Sequence, residues 1–275
     1  MAIRPVDLSV TNITATSVRL NWVAGVDALQ ALINSLFSAG EQGAFYIPMP
    51  IVLGAQALFQ DAAGTVPVTA DGDPVGRMLD QSGNGNHAIQ SVSGSRPAYR
   101  TDGTLHWLEF DGVDDFLSTG ASVMSDQPYI MAAASSNSNA NQIGVVFNTG
   151  LDGASSLFLT SDTRSNKRIH RFQQGNELIL NRANRLSSNE VEVISAYRLS
   201  NSFVTARKNS QVQGFGNRTE ADFDASGLWI GQYGFGIFAS PISFYGGVIQ
   251  SASEVTLDNA KRVEAYLSGK AGVAL

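Results

Sequence analysis

Ten residues set the grammar of this chain: Leu108-Glu-Phe-Asp-Gly-Val-Asp-Asp-Phe-Leu117. Apolar residues close both ends, and a glycine and three carboxylates (Asp111, Asp114 and Asp115) lie between them. Aspartate side chains hydrogen-bond their own backbone two residues on, and glycine takes positive φ without steric cost. The stretch therefore reads as strand, tight turn, strand. The same punctuation runs on to Gln250. Short apolar stretches at Tyr129–Ala133, Gly144–Asn148, Ser156–Thr160, Arg168–Gln173, Val191–Leu199, Phe203–Lys208, Leu228–Gly231 and Ile242–Gln250 are separated by Gly, Asn and Ser. That spacing predicts an antiparallel sandwich or jelly roll.

Composition agrees and excludes several functions. With 275 residues the chain is long enough for one large β core, and only 15 % of it is charged. A net charge of −6 argues against nucleic acid, whose binders need a basic footprint, and against a polybasic membrane contact. No cysteine is present, so disulfides, thiolate nucleophiles and cysteine-ligated zinc are excluded. No apolar run has the length of a membrane span, so no membrane insertion is expected. Met1-Ala-Ile-Arg-Pro-Val-Asp7 lacks the charged-then-apolar pattern of a signal peptide, so export by that route is not expected.

Helical periodicity occurs twice. Leu29, Leu32, Ile33, Leu36 and Phe37 share one face at 3.6-residue spacing, with Asp27 as N-cap and Gly40 beyond the C-terminus. This stripe could cover the chain's own sandwich or serve docking and oligomerisation. A second helix is expected near Thr256–Ser268, with Leu257, Ala260, Val263 and Leu267 on one stripe and Gly269 closing it. Ahead of the first helix, Val18, Leu20 and Trp22 alternate with Arg19, Asn21 and Val23, as in a half-buried strand.

Longer phrases resemble known families. Pro5–Trp22 resembles the first two strands of a fibronectin type III domain, but a helix follows where further strands would be needed. Leu79-Asp-Gln-Ser-Gly-Asn-Gly-Asn-His-Ala88, then Phe110–Leu117, then Phe244–Leu267 resemble, in that order, phrases of laminin-G-like, concanavalin A-like jelly rolls. The segment Glu41–Tyr46, Leu58–Thr69 and Gly72–Gly76 resembles tailed-bacteriophage and prophage virion proteins, where it precedes a laminin-G-like domain. The resemblance implies a mostly β, laminin-G-like jelly-roll sandwich with an N-terminal β-ribbon plus helix and a C-terminal helix. The expected division is residues 1–40 for docking and 41–275 for the jelly roll. It further implies a non-enzymatic structural protein of the virion surface, a capsid decoration or minor capsid protein, a tail appendage or a tail fibre, made in the bacterial host cytoplasm. Neither heptads nor solenoid repeats for a long fibre stalk are present. Expected partners are other virion proteins and copies of itself, a trimer among the options, with a host-surface glycan as the alternative role and glycan hydrolysis as a third.

Candidate chemistry is sparse. Glu220, Asp222 and Asp224 share one face if extended, with successive positions ~6.5–7 Å apart. Retaining glycosidases need paired carboxylates ~5–5.5 Å apart, and jelly-roll β-glucanases use an E-x-D-x-E strand. Here the third acid is the shorter Asp224, so no catalytic residue is assigned. Asp111, Asp114 and Asp115 are hard oxygen ligands, and Ca2+ is the one ion they would suit, although the spacing is not that of an EF-hand. His87, His106 and His170 are scattered, outside any zinc or triad pattern, with His106 and Trp107 read as a pair on one strand face. Gly231–Gly236 lacks the helix of a dinucleotide site and reads as a strand bend. Sugar C–H faces stack on aromatic rings, which nominates Tyr99, Trp107, Tyr233, Phe235 and Phe238, with Trp107, Tyr233 and Phe235 as the carbohydrate-binding set, unless they are core.

Overall fold

A computed structural model describes residues 28–120, 123, 128–136, 143–149, 157–162, 168–174, 176–182, 191–200, 203–217, 227–233, 238–251 and 256–275. The expected ribbon at 7–23, Phe235 and Glu220–Asp224 lie outside these residues.

Two sheets dominate. The first has eight strands in the order Gln211–Asn217, Phe203–Lys208, Glu192–Ser200, Pro128–Ser136, Ile242–Ser251, His106–Glu109 and Ala98–Thr101, with Gln42–Tyr46 also paired to Ile242–Ser251. The second has nine: Asn176–Arg182, Arg168–Gln174, Leu157–Asp162, Ile143–Thr149, Leu228–Ile230, Leu117–Ser118, Ala88–Ile89, Arg77–Met78 and Leu58–Phe59. The described pairings are antiparallel. The jelly-roll sandwich expected from the turn spacing is the fold observed.

The core has two compartments because the first sheet is covered on both faces. Ile130, Ala132 and Ala134 point between the sheets with Phe110, Leu117, Phe147, Ile230 and Phe244. Their neighbours Tyr129, Met131 and Ala133 point the other way, with Phe45, Val193 and Val248, under the helices α1 (28–37) and α2 (Leu257–Ala271). Two-sided burial explains why all ten residues of Ile242–Ser251 are buried, a run without alternation. A bulge sits in that strand. Ala133 pairs with Gly246 and Ala134 with Phe244, leaving Tyr245 as the extra residue. The bulge sends Phe244 into the inter-sheet core and Tyr245 to the helix side.

Several expectations need adjustment. The stripe on α1 is used internally: Leu32, Ile33 and Leu36 are buried in the helix-side core, and Leu29 and Phe37 pack against it. Gln250 Nε2 donates to Leu36 O, and Asn259 Nδ2 donates to Ser35 O at 3.0 Å, so the helix is tied to the sheet and to α2. That apolar face is therefore not free for a partner. Thr256 caps α2 by accepting from Asn259 N, but the helix runs through Gly269 and stops at Gly272, whose φ is +67°. A Cβ on Gly269 would meet nothing within 4 Å, and Ala271 carries the buried stripe past it. The strand Gln211–Asn217, absent from the sequence reading, follows a two-residue turn at Asn209 (φ 43°) and Ser210 (φ 62°). Two internal glycines weaken its strand signal.

Candidate functional site

The Asp80–His87 phrase is a loop wound around one carboxylate. Asp80 Oδ1 accepts from Phe45 N (2.9 Å) and Ser82 N (2.8 Å), and Oδ2 accepts from Ser82 Oγ (2.7 Å) and Asn86 N (3.1 Å). Asn84 and Asn86 donate to Gly43 O, and the Tyr46 hydroxyl donates to Asn86 O at 2.6 Å. The loop thus clamps the edge strand Gln42–Tyr46. Burial, then the Asp80 charge, pushes the Tyr46 phenol well above its usual range. His87 Nδ1 accepts from Asp80 N at 3.1 Å, and burial and Arg77 lower its pKa. All these groups are engaged in holding the fold.

Asp111, Asp114 and Asp115 do come together. They offer three carboxylate oxygens within 4.8 Å of one another. The turn carries the chain from His106–Glu109 in the first sheet to Leu117–Ser118 in the second. Asp111 Oδ1 accepts from Val113 N (2.7 Å), Asp115 Oδ2 from Asp111 N (3.0 Å) and Asp114 Oδ2 from Ser95 Oγ (2.8 Å). A Ca2+ ion takes 6–8 oxygens, so this cluster would need water to complete a shell. Burial, helped by Asp111 and Asp114 and opposed by the Asp111 N–H, raises the Asp115 pKa to about 6.

A third cluster lies on the helix-side face of the first sheet, toward its edge. Cross-strand register puts Arg100 opposite Trp107 and Ala98 opposite Glu109. Period-2 alternation sends Leu108 into the inter-sheet core and Trp107 to the helix side, where it is half-buried against the ring of Tyr245 (centroids 5.6 Å, interplanar 28°). Beside it Arg100 Nε donates to Glu109 Oε2 at 2.6 Å, and Arg100 Nη1 stands 3.5 Å from Asp71 Oδ2. These three side chains are substantially exposed, at 37 %, 41 % and 52 % for Arg100, Glu109 and Asp71. Burial, then Asp102 and Glu109, raises the Tyr245 phenol pKa. The helix α2 ends close by, its Gly272 facing Leu105. The result is a ledge with one aromatic surface and a fork of charged hydrogen-bonding groups.

The expected aromatic set is thus divided. Trp107 is on the ledge. Tyr233 is in a separate ribbon, Gln232–Tyr233 with Phe238–Ala239, reached from the second sheet through the bend at Gly231 (φ +85°). Tyr99 is core, stacked on His106 with Oη 2.6 Å from Nδ1. His106 therefore faces inward and Trp107 outward, so adjacent positions here are not a pair on one face. Sequence reading missed Arg100, Glu109, Asp71 and Tyr245. The i, i+2 spacing of Trp107 and Glu109 could have found Glu109, whereas nothing local links Asp71 to position 100.

No protein-family model matches the sequence, and no curated protein is similar to it in sequence. Solved structures share its fold. The ligand-binding domain of botulinum neurotoxin serotype D, solved in complex with N-acetylneuraminic acid, aligns with TM-score 0.56 at 10 % identity over 86 % of this chain and 52 % of that one. The botulinum neurotoxin type G receptor-binding domain aligns at 0.50 and 12 % identity, covering 70 % and 48 %. A Trypanosoma rangeli sialidase in complex with sialic acid aligns at 0.51 and 13 % identity, covering 90 % and 39 %. The chain spans about two-fifths to half the length of these structures.

Proposed function

We propose that this chain is a non-enzymatic glycan-recognition module on the surface of a tailed-bacteriophage particle, as a capsid-decorating or tail-appendage protein. The observation that carries the glycan part is the Trp107 ledge: a partly buried indole held by Tyr245 beside Arg100, Glu109 and Asp71. Sugars present C–H faces that stack on rings and hydroxyls that charged groups bind, and such a ledge offers both. The sandwich fold, shared with a neurotoxin domain whose structure holds N-acetylneuraminic acid, makes this use of the surface reasonable.

The virion part rests on the resemblance of residues 41–76 to phage virion proteins. In this reading the protein is made in the bacterial host cytoplasm and docks on other virion proteins, as a homo-oligomer. With the apolar face of α1 packed on its own sheet, docking falls to other surfaces of the chain.

The test has two arms. A label on this chain is imaged on purified particles, and the full chain and its Trp107→Ala variant are applied to a glycan array. Particle labelling with an array signal that the variant loses supports the proposal. Dense particle labelling with no array signal reduces it to decoration, and an unlabelled particle overturns the virion assignment. Reducing-end release from host polysaccharide, lost in Asp222→Asn or Asp224→Asn, would make the chain an enzyme.

A further inference from the structure

We infer that the Trp107 ledge selects uncharged sugars bearing adjacent hydroxyls and rejects sugars that carry a carboxylate. The inference rests on the glycan-recognition reading and concerns its ligand class.

The charge arrangement carries it. Asp71 and Glu109 are exposed carboxylates on the ledge, and Asp102 acts on Tyr245 with Glu109. Against them, among the described residues, stands the guanidinium of Arg100, already engaged by Glu109 at 2.6 Å and Asp71 at 3.5 Å. Asp71 is itself held, its Oδ1 accepting from Thr101 N at 2.9 Å. The nearby ammonium of Lys270 is turned elsewhere, 3.3 Å from Met49 Sδ and 5.5 Å from the Tyr266 ring centroid, and burial lowers its pKa. A sugar carboxylate stacked on Trp107 would meet, among the described residues, the two carboxylates Asp71 and Glu109 against the single guanidinium of Arg100, and it would have to share that guanidinium with both.

A neutral sugar meets the opposite situation. A carboxylate has two oxygens and accepts only, so it suits two neighbouring hydroxyl donors. Glu109, two residues from Trp107 on the same strand face, and Asp71, paired with the Arg100 that stands opposite Trp107, offer such acceptors, and the remaining N–H groups of Arg100 donate to sugar oxygens. The fold relatives that hold sialic acid therefore share the scaffold without predicting the ligand of this surface.

The experiment titrates the full chain by calorimetry with neutral oligosaccharides and with their uronate or sialylated counterparts. Neutral sugars are expected to bind, and carboxylated ones to bind at least about tenfold more weakly, the scale of one charge-assisted hydrogen bond lost. Glu109→Gln and Asp71→Asn, both at exposed positions, should each weaken neutral-sugar binding by about tenfold while narrowing the gap to the acidic ones. Trp107→Ala should abolish both, with circular dichroism checking that it folds. Tighter binding of carboxylated sugars, lost in Arg100→Gln, overturns the inference while the glycan reading stands. Neutral binding unmoved by Glu109→Gln and Asp71→Asn also overturns it, because the site then lies elsewhere. No binding by either class overturns both.

Discussion

At Gly43 the backbone leaves no room for a side chain. A Cβ there would stand 2.2 Å from Ile249 O and 2.8 Å from Gln250 Cα, and φ is +146°. Gly43→Ala should push the edge strand off Ile242–Ser251 and cost at least ~2–3 kcal/mol in urea unfolding. Gly83 is the control: its φ is +92°, but a Cβ meets nothing within 4 Å, so Gly83→Ala should cost only ~1–2 kcal/mol of conformational strain. Equal costs would mean that close strand approach is not what selects glycine at position 43. Asp115 supplies a pH effect. Its pKa is about 6 when folded, against an ordinary value near 4, so between those values the folded chain keeps a proton the unfolded chain has released. Stability from this group is therefore present at low pH, falls as pH rises from about 4 to 6, and stays lower above. Asp115→Asn keeps an acceptor for Asp111 N and removes the charge, so it should stabilise by about 1–2 kcal/mol at pH 7 and by nothing at pH 4. Parallel pH–stability curves for the two proteins would refute this.

Among the elements, α2 is tied to the first sheet by a buried ion pair as well as by its apolar stripe. Arg207 Nε and Nη2 donate to Glu264 Oε1 and Oε2 at 2.8 and 3.0 Å, and Ser195 and Ser210 add their hydroxyls at 3.3 and 2.8 Å. Glu264 is 1 % exposed. Glu264→Ala would leave a buried guanidinium without its carboxylate and should cost about 3–5 kcal/mol, whereas Glu264→Leu with Arg207→Leu should recover much of that loss. A double variant no more stable than Glu264→Ala would argue that the pair itself, and not its satisfaction, holds the helix. This element also marks what the sequence made legible. Both helix stripes were readable because burial on one face imposes a period on local sequence, and most of the long strands from Pro128 onward because Gly, Asn and Ser punctuate apolar runs, although Asn176–Arg182 and Gln211–Asn217 were not. The strands of residues 51–89 were not, because they are two residues long and held by long-range partners, as Arg77↔Ile89 shows. The ledge was half legible for the same reason. Trp107 stands out in one strand, but its partners Tyr245 and Asp71 arrive from positions 138 and 36 residues away, a juxtaposition only the folded chain creates.

For the whole molecule, the third layer decides where the folding unit begins. The sequence suggests a boundary at residue 40, with α1 in an N-terminal docking piece. In the structure α1 covers Phe45, Met131 and Val248 together with α2, so the sheet between them has no solvent face there. Residues 28–40 then belong to the sandwich energetically. Leu32, Ile33 and Leu36 are each 5 % exposed or less, and fully burying an aliphatic side chain contributes about 1.5–3 kcal/mol, so the stripe supplies several kcal/mol against a total of only ~5–15 for a domain. A chain beginning at residue 28, which keeps α1 whole, is the reference for this contribution. One beginning at residue 41 should lose most of its stability, expose the apolar sheet face, and bind a hydrophobic dye at temperatures where the longer chain does not. If the two truncations melt alike, α1 is an appendage after all, and its apolar face would be open to a partner subunit.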